Sequence, residues 1–351
     1  MRKDLIKQQV DRLCGGAFLV TDIKNIRYLS NFTGSSGMLL FTESRDFFIT
    51  DFRYEEQSKI EVKGFDIIIE KTDKIKAIGR IVLDLKIRTL GFEARAVTYD
   101  FYKSLSKEVR LKPFKDLVER LRVIKDKEEV SSLRQAVSRA EAAFKKTFHH
   151  IRVGRKERDI AVRLEGYLRD AGCVSLPFDI IVASGPRSAM PHASSSERAL
   201  KKGDIVVMDW GGEANGYFSD MTRTFFLKGR DLGKKIHIYE TVLDAQRNAI
   251  KAIREGRSTK DIDAAARTTI KRAGYGEFFG HSTGHGIGLS VHESPNVTWG
   301  KGEPVKRSMV FTVEPGIYIP GLGGVRIEDM IVAKGSGAEV LTHLPRELQI
   351  I

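Results

Sequence analysis

The second half of this 351-residue chain contains one sequence pattern twice, at a constant offset of 102 residues. Residues 151–160 read IRVGRKERDI and residues 253–262 read IREGRSTKDI, and both segments run on to an Ala-Gly pair that ends at Gly172 and Gly274. The match holds without a gap. A duplicated unit can place an active site between its two copies. The repeat therefore predicts a pseudo-twofold domain.

Carboxylates follow the same apolar strand pattern in each copy. Residues 205–208 (IVVM) lead into Asp209, and residues 310–313 (VFTV) lead into Glu314. A second acid follows each of them on a returning strand, Asp220 in the first copy and Glu328 in the second. Single acids at such positions usually face solvent or pair with Arg, but four in symmetric pairs favour a shared site. Because an unpaired buried charge is costly, this site is predicted to bind cations.

Histidines concentrate beside the second acid pair. Three of the eight histidines lie in residues 281–292 (HSTGHGIGLSVH), where glycines let the backbone approach a site closely. These glycines lack the GxGxxG spacing within a βαβ unit, so they do not indicate a dinucleotide site. Four carboxylates with an imidazole suit a pair of Mn²⁺, Co²⁺, Fe²⁺ or Zn²⁺ ions. Two ions about 3.5–4 Å apart activate water, which predicts hydrolysis of an amide or ester.

The first part of the chain has a different pattern, in which short apolar runs alternate with helical segments. Strands are expected at residues 17–20, 37–41, 47–50 and 65–69, and a helix at residues 73–85. Residues 117–151 are amphipathic at helical spacing. The pattern predicts an α/β domain over residues 1–118 and a second domain over residues 119–351.

Charge and composition restrict the class of protein. The formal charge is +13, but the 59 Lys and Arg residues are spread among 46 acidic ones, which favours a solvated basic surface over a nucleic-acid partner. The two cysteines, Cys14 and Cys173, cannot form a disulfide framework or a cysteine metal site and are expected in the core. No stretch approaches the ~18 apolar residues of a membrane span, and the N-terminus lacks a signal-peptide pattern. A cytoplasmic protein without a membrane partner is expected.

Five blocks of the sequence, in this order, resemble the pita-bread metallopeptidases, which include aminopeptidase P, prolidase and methionine aminopeptidase. They read MDWGG, FSDMTRTF, HSTGHGIGLSVHE, TVEPGIYIPGLGG and VRIEDM, and the similarity covers nearly the whole chain. The resemblance implies a creatinase-like (ribonuclease-H-like) α/β domain in residues 1–118. It implies a pseudo-twofold pita-bread catalytic domain in residues 119–351.

The resemblance also assigns metal ligands. It implies that Asp209 binds one metal ion, that His285 and Glu314 bind a second, and that Asp220 and Glu328 bridge the two. The ions are expected to be Mn²⁺, with Co²⁺, Zn²⁺ or Fe²⁺ as alternatives. Glu314 is further expected to assist proton movement from the nucleophile to the leaving nitrogen.

Four more side chains are expected at the site. The resemblance implies that His192, His281 and His292 bind substrate and stabilise the tetrahedral intermediate. Arg326 lies two residues before Glu328, so on a strand both side chains point to one face. Arg326 is therefore expected to orient or neutralise the carboxylates, with a simple surface salt bridge as the alternative.

The implied activity is hydrolysis of the bond between an N-terminal residue and proline, by an Xaa-Pro aminopeptidase acting on peptides with proline second. Methionine aminopeptidases generally lack a domain like residues 1–118, whereas aminopeptidase P and prolidase have one. In that group neighbouring subunits use this domain to wall the active site, which implies a homodimer.

Two kinds of alternative remain open. Prolidases often carry an Arg shortly after the last His-Glu block, where this chain has Asn296; this favours the aminopeptidase over an Xaa-Pro dipeptidase (prolidase). The remoter alternatives are a non-catalytic binding protein on the same fold and the metal-free chemistry of creatinase. The complete set of ligand residues argues against both.

Overall fold

The structure is a computed structural model that describes residues 2–14 and 16–351, without the side chains of Leu13 and Cys14. The chain divides into two compact units, Met1–Arg122 and Val123–Ile351. The expected boundary, between residues 118 and 119, lies slightly before this division. Among the described helices, none is both long and apolar enough to cross a bilayer.

The first unit is a six-stranded mixed sheet with helices. Its strands are β1 Phe18–Val20, β2 Met38–Phe41, β3 Phe47–Thr50, β4 Asp66–Ile69, β5 Thr89–Glu93 and β6 Arg110–Phe114. Its helices are α1 Arg2–Cys14, α2 Ile23–Ser30, α3 Glu55–Glu61, α4 Lys74–Asp84, α5 Tyr99–Leu105 and α6 Glu119–Arg122, with a 3₁₀ turn at Phe52–Tyr54. The sheet order is β4-β3-β2-β1-β5-β6, and the β3–β4, β1–β5 and β5–β6 pairs are parallel. The predicted strands and helix are confirmed to within one residue at each end.

Helix caps and one buried acid stabilise the connections between strands and helices in this unit. Asp22 caps α2 and Asp73 caps α4, each by accepting backbone N–H bonds that the first helical turn leaves unpaired. Glu93, at the end of β5, is buried, and its carboxylate accepts hydrogen bonds from the backbone N–H groups of Thr21 (2.6 Å) and Asp22 (2.8 Å). The β5 strand is thereby tied to the start of α2.

The second unit contains four long helices and twelve strands among the described residues. The helices are α7 Lys127–Thr147, α8 Glu157–Asp170, α9 Gly233–Ala252 and α10 Thr259–Arg272, with 3₁₀ turns at Phe148–His150, Gly185–Ala189 and Gly276–Phe278. The strands are β7 Ile181–Ser184, β8 Ile205–Trp210, β9 Glu213–Ala214, β10 Tyr217–Phe218, β11 Met221–Phe226, β12 Gly284–Gly286, β13 Glu293–Val297, β14 Val310–Val313, β15 Gly316–Ile319, β16 Gly323–Arg326, β17 Asp329–Ala333 and β18 Ala338–Val340.

The sequence repeat is a repeat of structure. Helices α8 and α10 each have 14 residues and begin at Glu157 and Thr259, positions that the 102-residue offset relates. Gly172 and Gly274, just after the two helices, both have positive φ, at 95° and 85°. A bridge pairs the residue before each helix with a later segment, Lys156 with Ala199 and Ser258 with Pro304. The predicted pseudo-twofold pita-bread fold is therefore confirmed.

Each copy carries a hairpin with a smaller hairpin inserted at its tip. In the first copy β8 pairs with β11 and the β9–β10 ribbon lies between them; in the second, β14 pairs with β17 and β15–β16 lie between them. The register places Thr222 opposite Asp209, and Asp329 opposite Val313. Asp220 and Glu328 thus stand at the start of the two returning strands, close to the acids that end the outgoing strands.

The amphipathic stretch from 117 to 151 is not one continuous helix. It breaks between α6 and α7, where Asp126 caps α7 and forms a reciprocal capping box with Glu129. On the inner face of α7, Trp210 is fully buried, stacks on Phe144 with ring centroids 4.6 Å apart, and donates its indole N–H to the carbonyl of Ala140. Because neighbouring strand residues face opposite ways, this contact directs Asp209 to the other face of β8. Cys173 is buried, as expected, and the side chain of Cys14 is outside the described residues.

Candidate metal centre

Four of the five expected ligands lie at or beside strand ends of the two copies, and the fifth, His285, lies within a short strand. They are Asp209 on β8, Asp220 just before β11, His285 in the middle of β12, Glu314 just after β14 and Glu328 just before β17. Asp220, His285 and Glu328 each offer one ligand atom, and these three atoms lie within 4.8 Å of one another. The Nε2 atom of His285 is 3.4 Å from Oε1 of Glu314 and 3.7 Å from Oδ2 of Asp220. The structure therefore brings acids of both copies to one imidazole.

Glycines on both sides of His285 allow this approach. A Cβ atom on Gly284 would lie 1.9 Å from the carbonyl oxygen of Thr312, and one on Gly286 would lie 2.1 Å from that of Ser294. Both contacts are with rigid backbone, so no larger residue fits. The glycines flanking His285 are what let β12 lie between β13 and β14.

The tautomer of His285 suits a metal ligand. Its Nδ1 atom lies 3.1 Å from the carbonyl oxygen of Gly286, so Nδ1 carries the proton and donates it. Burial lowers the pKa of His285, which favours the neutral ring. The lone pair of Nε2 then faces the carboxylates of Asp220 and Glu314, which is unfavourable unless a cation lies between them.

The carboxylates themselves need a positive partner. Burial, followed by the charges of neighbouring acids, raises the pKa of Asp220 and of Glu328 well above the usual range. Burial also raises the pKa of Glu314. The Oδ1 atom of Asp209 is buried and forms no hydrogen bond with any residue that the structure describes. An unsatisfied buried oxygen, a cluster of acids and an imidazole lone pair together fit a site for divalent cations.

Arg326 is the one cation in contact with Asp209 among the described side chains. It is almost fully buried at the end of β16, and its Nη2 atom lies 2.6 Å from Oδ2 of Asp209. Its other donors reach Oγ1 of Thr222 (3.0 Å), the hydroxyl of Tyr318 (2.8 Å) and the carbonyl oxygen of Pro191 (3.2 Å). The guanidinium thus fixes the orientation of Asp209 and leaves Oδ1 for another partner.

Tyr318 links Arg326 to His281. The Nδ1 atom of His281 donates to the carbonyl oxygen of Ser282 (2.8 Å), so Nε2 accepts from the hydroxyl of Tyr318 (3.0 Å). Burial raises the pKa of Tyr318 to about 12, which keeps the hydroxyl protonated at neutral pH. Both ring nitrogens of His281 therefore have protein partners, and His281 meets the site through Tyr318.

The other two histidines are exposed. The ring of His292 packs on the ring of His285 with centroids 4.3 Å apart. His192 lies on a loop after the 3₁₀ turn Gly185–Ala189 and lines a groove of about 590 Å³ together with residues of α8. His192 also lies close enough to His281 and His292 to lower the pKa of each, as a smaller cause after burial. The three histidines expected to meet substrate thus lie near one another.

Several polar neighbours of the cluster were not predicted. Thr222 donates to Oε2 of Glu328 (2.8 Å) while accepting from Arg326. Thr312 donates to Oε1 of Glu314 (3.4 Å) and accepts from the backbone N–H of His285. These residues and Tyr318 lie in or beside the blocks FSDMTRTF and TVEPGIYIPGLGG, but nothing in the sequence indicates which acid each one contacts.

Two family models match the chain and together span most of it. Residues 131–334 match metallopeptidase family M24, and residues 2–124 match the creatinase/prolidase N-terminal domain. The first match covers the whole carboxylate cluster.

Related proteins and solved structures of the same family match this chain over nearly its whole length. The chain is 38% identical to an Xaa-Pro dipeptidase of Pyrococcus horikoshii, over 95% of this chain and 94% of the relative. It is 41% identical to the solved Xaa-Pro dipeptidase from Bacillus anthracis, with a TM-score of 0.97 and coverage of 100% and 99%. It is 39% identical to the solved X-Pro aminopeptidase from Thermotoga maritima, with a TM-score of 0.90 and coverage of 98% and 100%.

Proposed function

This chain belongs to metallopeptidase family M24, and on that premise we propose that it is an Xaa-Pro dipeptidase, which cleaves dipeptides with proline in second place. The sequence alone favours an Xaa-Pro aminopeptidase. Relatives named Xaa-Pro dipeptidase, at 38% and 41% identity over nearly whole chains, support the dipeptidase better. The family is one of metallo-exopeptidases, so the two activities differ in the length of the peptide accepted, not in the reaction.

Membership in the family implies divalent metal ions, and we propose that this chain binds two. Asp209 would hold one ion, His285 and Glu314 the other, and Asp220 and Glu328 both. Mn²⁺ is the proposed metal, because a site of mostly carboxylate oxygen with one imidazole suits it. The observation that carries the proposal is that Asp220, His285 and Glu328 offer ligand atoms within 4.8 Å of one another. Oε1 of Glu314 lies 3.4 Å from the same imidazole, and Oδ1 of Asp209 is buried without a hydrogen-bond partner among the described residues.

The protein side chains supply the other parts of the reaction. When bound, the ions polarise the scissile carbonyl and lower the pKa of water. Glu314 would then carry the proton from the nucleophile to the leaving nitrogen, because its carboxylate lies in the cluster, with Oε1 3.4 Å from Nε2 of His285. His192 and His292, which are both exposed and near each other, would donate hydrogen bonds to the oxygen that gains negative charge. His281 would act through Tyr318, since both of its ring nitrogens already have partners.

Two properties of the whole protein complete the proposal. We propose a homodimer and a location in the cytoplasm. A titration of sedimentation against protein concentration would test the first, and fractionation of cells the second.

The test of the substrate uses chelator-stripped protein with and without added Mn²⁺. An Xaa-Pro dipeptide and an Xaa-Pro-Xaa tripeptide are supplied in parallel. If the protein is an Xaa-Pro dipeptidase, we expect metal-dependent cleavage of the dipeptide and little cleavage of the tripeptide. Cleavage of the tripeptide at least as fast would make the protein an aminopeptidase. If neither peptide is cleaved although metal is bound, methionyl peptides are the next substrates to test. A non-catalytic binding role becomes the better proposal if those are not cleaved either.

The aminopeptidase is the second candidate because of Asn296. This residue is exposed on β13, directly opposite His285 on β12, so both side chains point to the same face of the sheet. A dipeptide places a carboxylate next to the scissile bond, and an amide binds a carboxylate less strongly than a guanidinium does. A neutral residue here removes one means of selecting dipeptides.

Replacing Asn296 by Arg is therefore expected to favour dipeptides. A charge-assisted hydrogen bond contributes about 1.5–3 kcal/mol, so the ratio of kcat/KM for dipeptide to tripeptide should rise by about 10-fold or more. Asn296→Gln has a similar size without the charge and should leave the ratio unchanged. Equal ratios in the Arg and Gln variants would exclude Asn296 from substrate selection.

A further inference from the structure

The loop that carries His192 is attached to a single buried carboxylate. We propose that Glu157 is a positioning residue for His192, acting through both ends of the loop 185–195. The inference rests on the proposed function, in which His192 contacts the substrate.

Glu157 accepts hydrogen bonds from both sides of this loop. It is fully buried at the start of α8. Its Oε1 atom accepts from the backbone N–H (2.7 Å) and the hydroxyl (2.6 Å) of Ser184, the residue before the loop. Its Oε2 atom accepts from the backbone N–H (3.1 Å) and the hydroxyl (2.6 Å) of Ser196, the residue after it. One carboxylate therefore closes the loop at its base.

A fifth bond comes from within the loop. Nε of Arg187 lies 3.1 Å from Oε2 of Glu157, and Nη2 of the same side chain donates to the carbonyl oxygen of Ser194 (2.6 Å). The first half of the loop is thus tied to the second half through Arg187. All five partners of the carboxylate are donors, so each oxygen is needed as an acceptor.

The tip of the loop is attached to the metal centre on its other side. Arg326, which orients Asp209, also donates to the carbonyl oxygen of Pro191, the residue before His192. The hydroxyl of Ser188 accepts from the backbone N–H of Gly324 (2.9 Å). The loop is therefore held at its base by Glu157 and at its tip by β16, with His192 next to the second attachment. Releasing the base would leave the imidazole supported on one side.

The repeat shows that the fold itself does not demand an acid here. Residue 259 occupies the position of Glu157 in the second copy, and it is a Thr. Thr259 accepts one hydrogen bond, from the backbone N–H of Glu303 (3.2 Å), while the same backbone bridge precedes the helix in both copies. The helix and bridge form with either residue. The acid is found in the copy whose loop carries His192, which points to the loop and not to α8.

Glu157→Gln tests the inference directly. The variant keeps the size of the side chain but turns one acceptor into an NH₂ group that faces donors, so one end of the loop is released. We expect kcat/KM to fall by about 10- to 100-fold, with kcat falling more than KM rises, because misplacement by about 1 Å is enough for such a loss. Glu93→Gln is the matched control, since Glu93 is also buried and accepts two backbone N–H bonds, in the first unit. It should leave kcat/KM within about 2-fold of the wild type.

A double-mutant cycle with His192→Ala separates positioning from a structural role. If Glu157 acts through His192, then Glu157→Gln should reduce kcat/KM by less than about 3-fold in the His192→Ala background. Equal losses in both backgrounds would overturn the inference, and so would an unaltered kcat/KM in Glu157→Gln. The cycle is run with whichever peptide the wild type cleaves, so a failure of the Xaa-Pro proposal is seen separately, in the wild type.

A second measurement does not depend on activity. Limited trypsin digestion of native protein, with mass spectrometry, reports cleavage after Arg187 in the loop. Cleavage there should be about 10-fold faster in Glu157→Gln than in Glu93→Gln, because local opening exposes the bond. Digestion of Glu157→Gln as slow as that of Glu93→Gln, together with equal losses of kcat/KM in both backgrounds, would overturn the proposal.

If Glu157→Gln cannot be purified folded, Ser196→Ala can replace it, because this variant removes one hydroxyl donor to Glu157. A smaller loss of kcat/KM is then expected, and it should again vanish in the His192→Ala background.

Discussion

Asp220→Asn and Glu328→Gln are each expected to reduce hydrolysis by at least about 1,000-fold while the protein stays folded. Both acids are proposed to bind two ions at once, and an amide cannot replace a charged bridge. Loss of metal-activated water amounts to several kcal/mol of transition-state stabilisation, and about 1.36 kcal/mol is a tenfold change in rate. The measurement is kcat/KM at saturating Mn²⁺, with circular dichroism to verify the fold.

The same two variants should stabilise the metal-free protein, although they abolish its activity when metal is present. Burial and neighbouring acids raise the pKa of Asp220 and Glu328 from 3.8 and 4.5, so the folded protein binds protons more tightly than the unfolded chain. The free energy of unfolding of stripped protein must then fall as pH rises above that ordinary range. Either amide removes part of this fall, and at about pH 8 the stripped variant should unfold at a higher temperature than stripped wild type. A variant that is fully active, or less stable than wild type without metal, would contradict the proposed role.

Arg326→Lys is expected to lose about 100-fold in kcat/KM, and Arg326→Met more. The guanidinium contacts Asp209, Thr222 and Tyr318 at once, and the single ammonium of Lys cannot reproduce this fork. Removing the charge in Met leaves Asp209 without its buried partner, which typically costs about 3–5 kcal/mol of stability. Thermal unfolding and kcat/KM of the two variants separate these effects.

Stability and activity should respond differently to the two Arg326 variants. Arg326→Lys should recover most of the stability lost in Arg326→Met but little of the activity, since activity depends on the direction of each donor. The surface variant Arg53→Lys, which changes an exposed Arg paired with Asp51, serves as a control and should change neither quantity. Full activity in Arg326→Lys would show that Arg326 provides only charge.

The sequence predicts the fold and the position of the acids because both depend on local patterns. The repeat at a 102-residue offset, with apolar strands that end in Asp209 and Glu314, is visible in the one-dimensional chain. A returning strand then places Asp220 and Glu328 near those acids without any knowledge of tertiary packing. The choice of His285 among the nearby histidines needs more, namely the tautomer fixed by Gly286 and the direction of Nε2.

What the sequence does not reveal depends on contacts between distant segments. Thr222 contacts Glu328 and Arg326 across more than 100 residues, and nothing in its neighbourhood marks it as different from other threonines. His281 was expected to meet substrate, yet its two ring nitrogens are taken by Ser282 and Tyr318. The roles of the site residues remain predictions.

Helix boundaries show the same distinction. The spacing of apolar residues over 117–151 cannot distinguish one helix from two, since both bury the same face. The break is determined by Asp126 and Glu129, a short capping signal within an otherwise continuous amphipathic pattern. Glu157 is similar: its position in the repeat is visible, but the three residues that donate its five hydrogen bonds are brought together only by the folded loop.

The proposed activity requires that the five-residue cluster holds two divalent ions. The most direct measurement titrates chelator-stripped protein with Mn²⁺ and follows both ions bound per chain, by calorimetry, and hydrolysis of an Xaa-Pro dipeptide. We expect no hydrolysis in stripped protein, two ions bound per chain, and activity that rises with occupancy. Asp220→Asn should lose both the binding of two ions and the activity. Hydrolysis that survives stripping, or binding of two ions that Asp220→Asn leaves unchanged, would overturn the two-ion proposal.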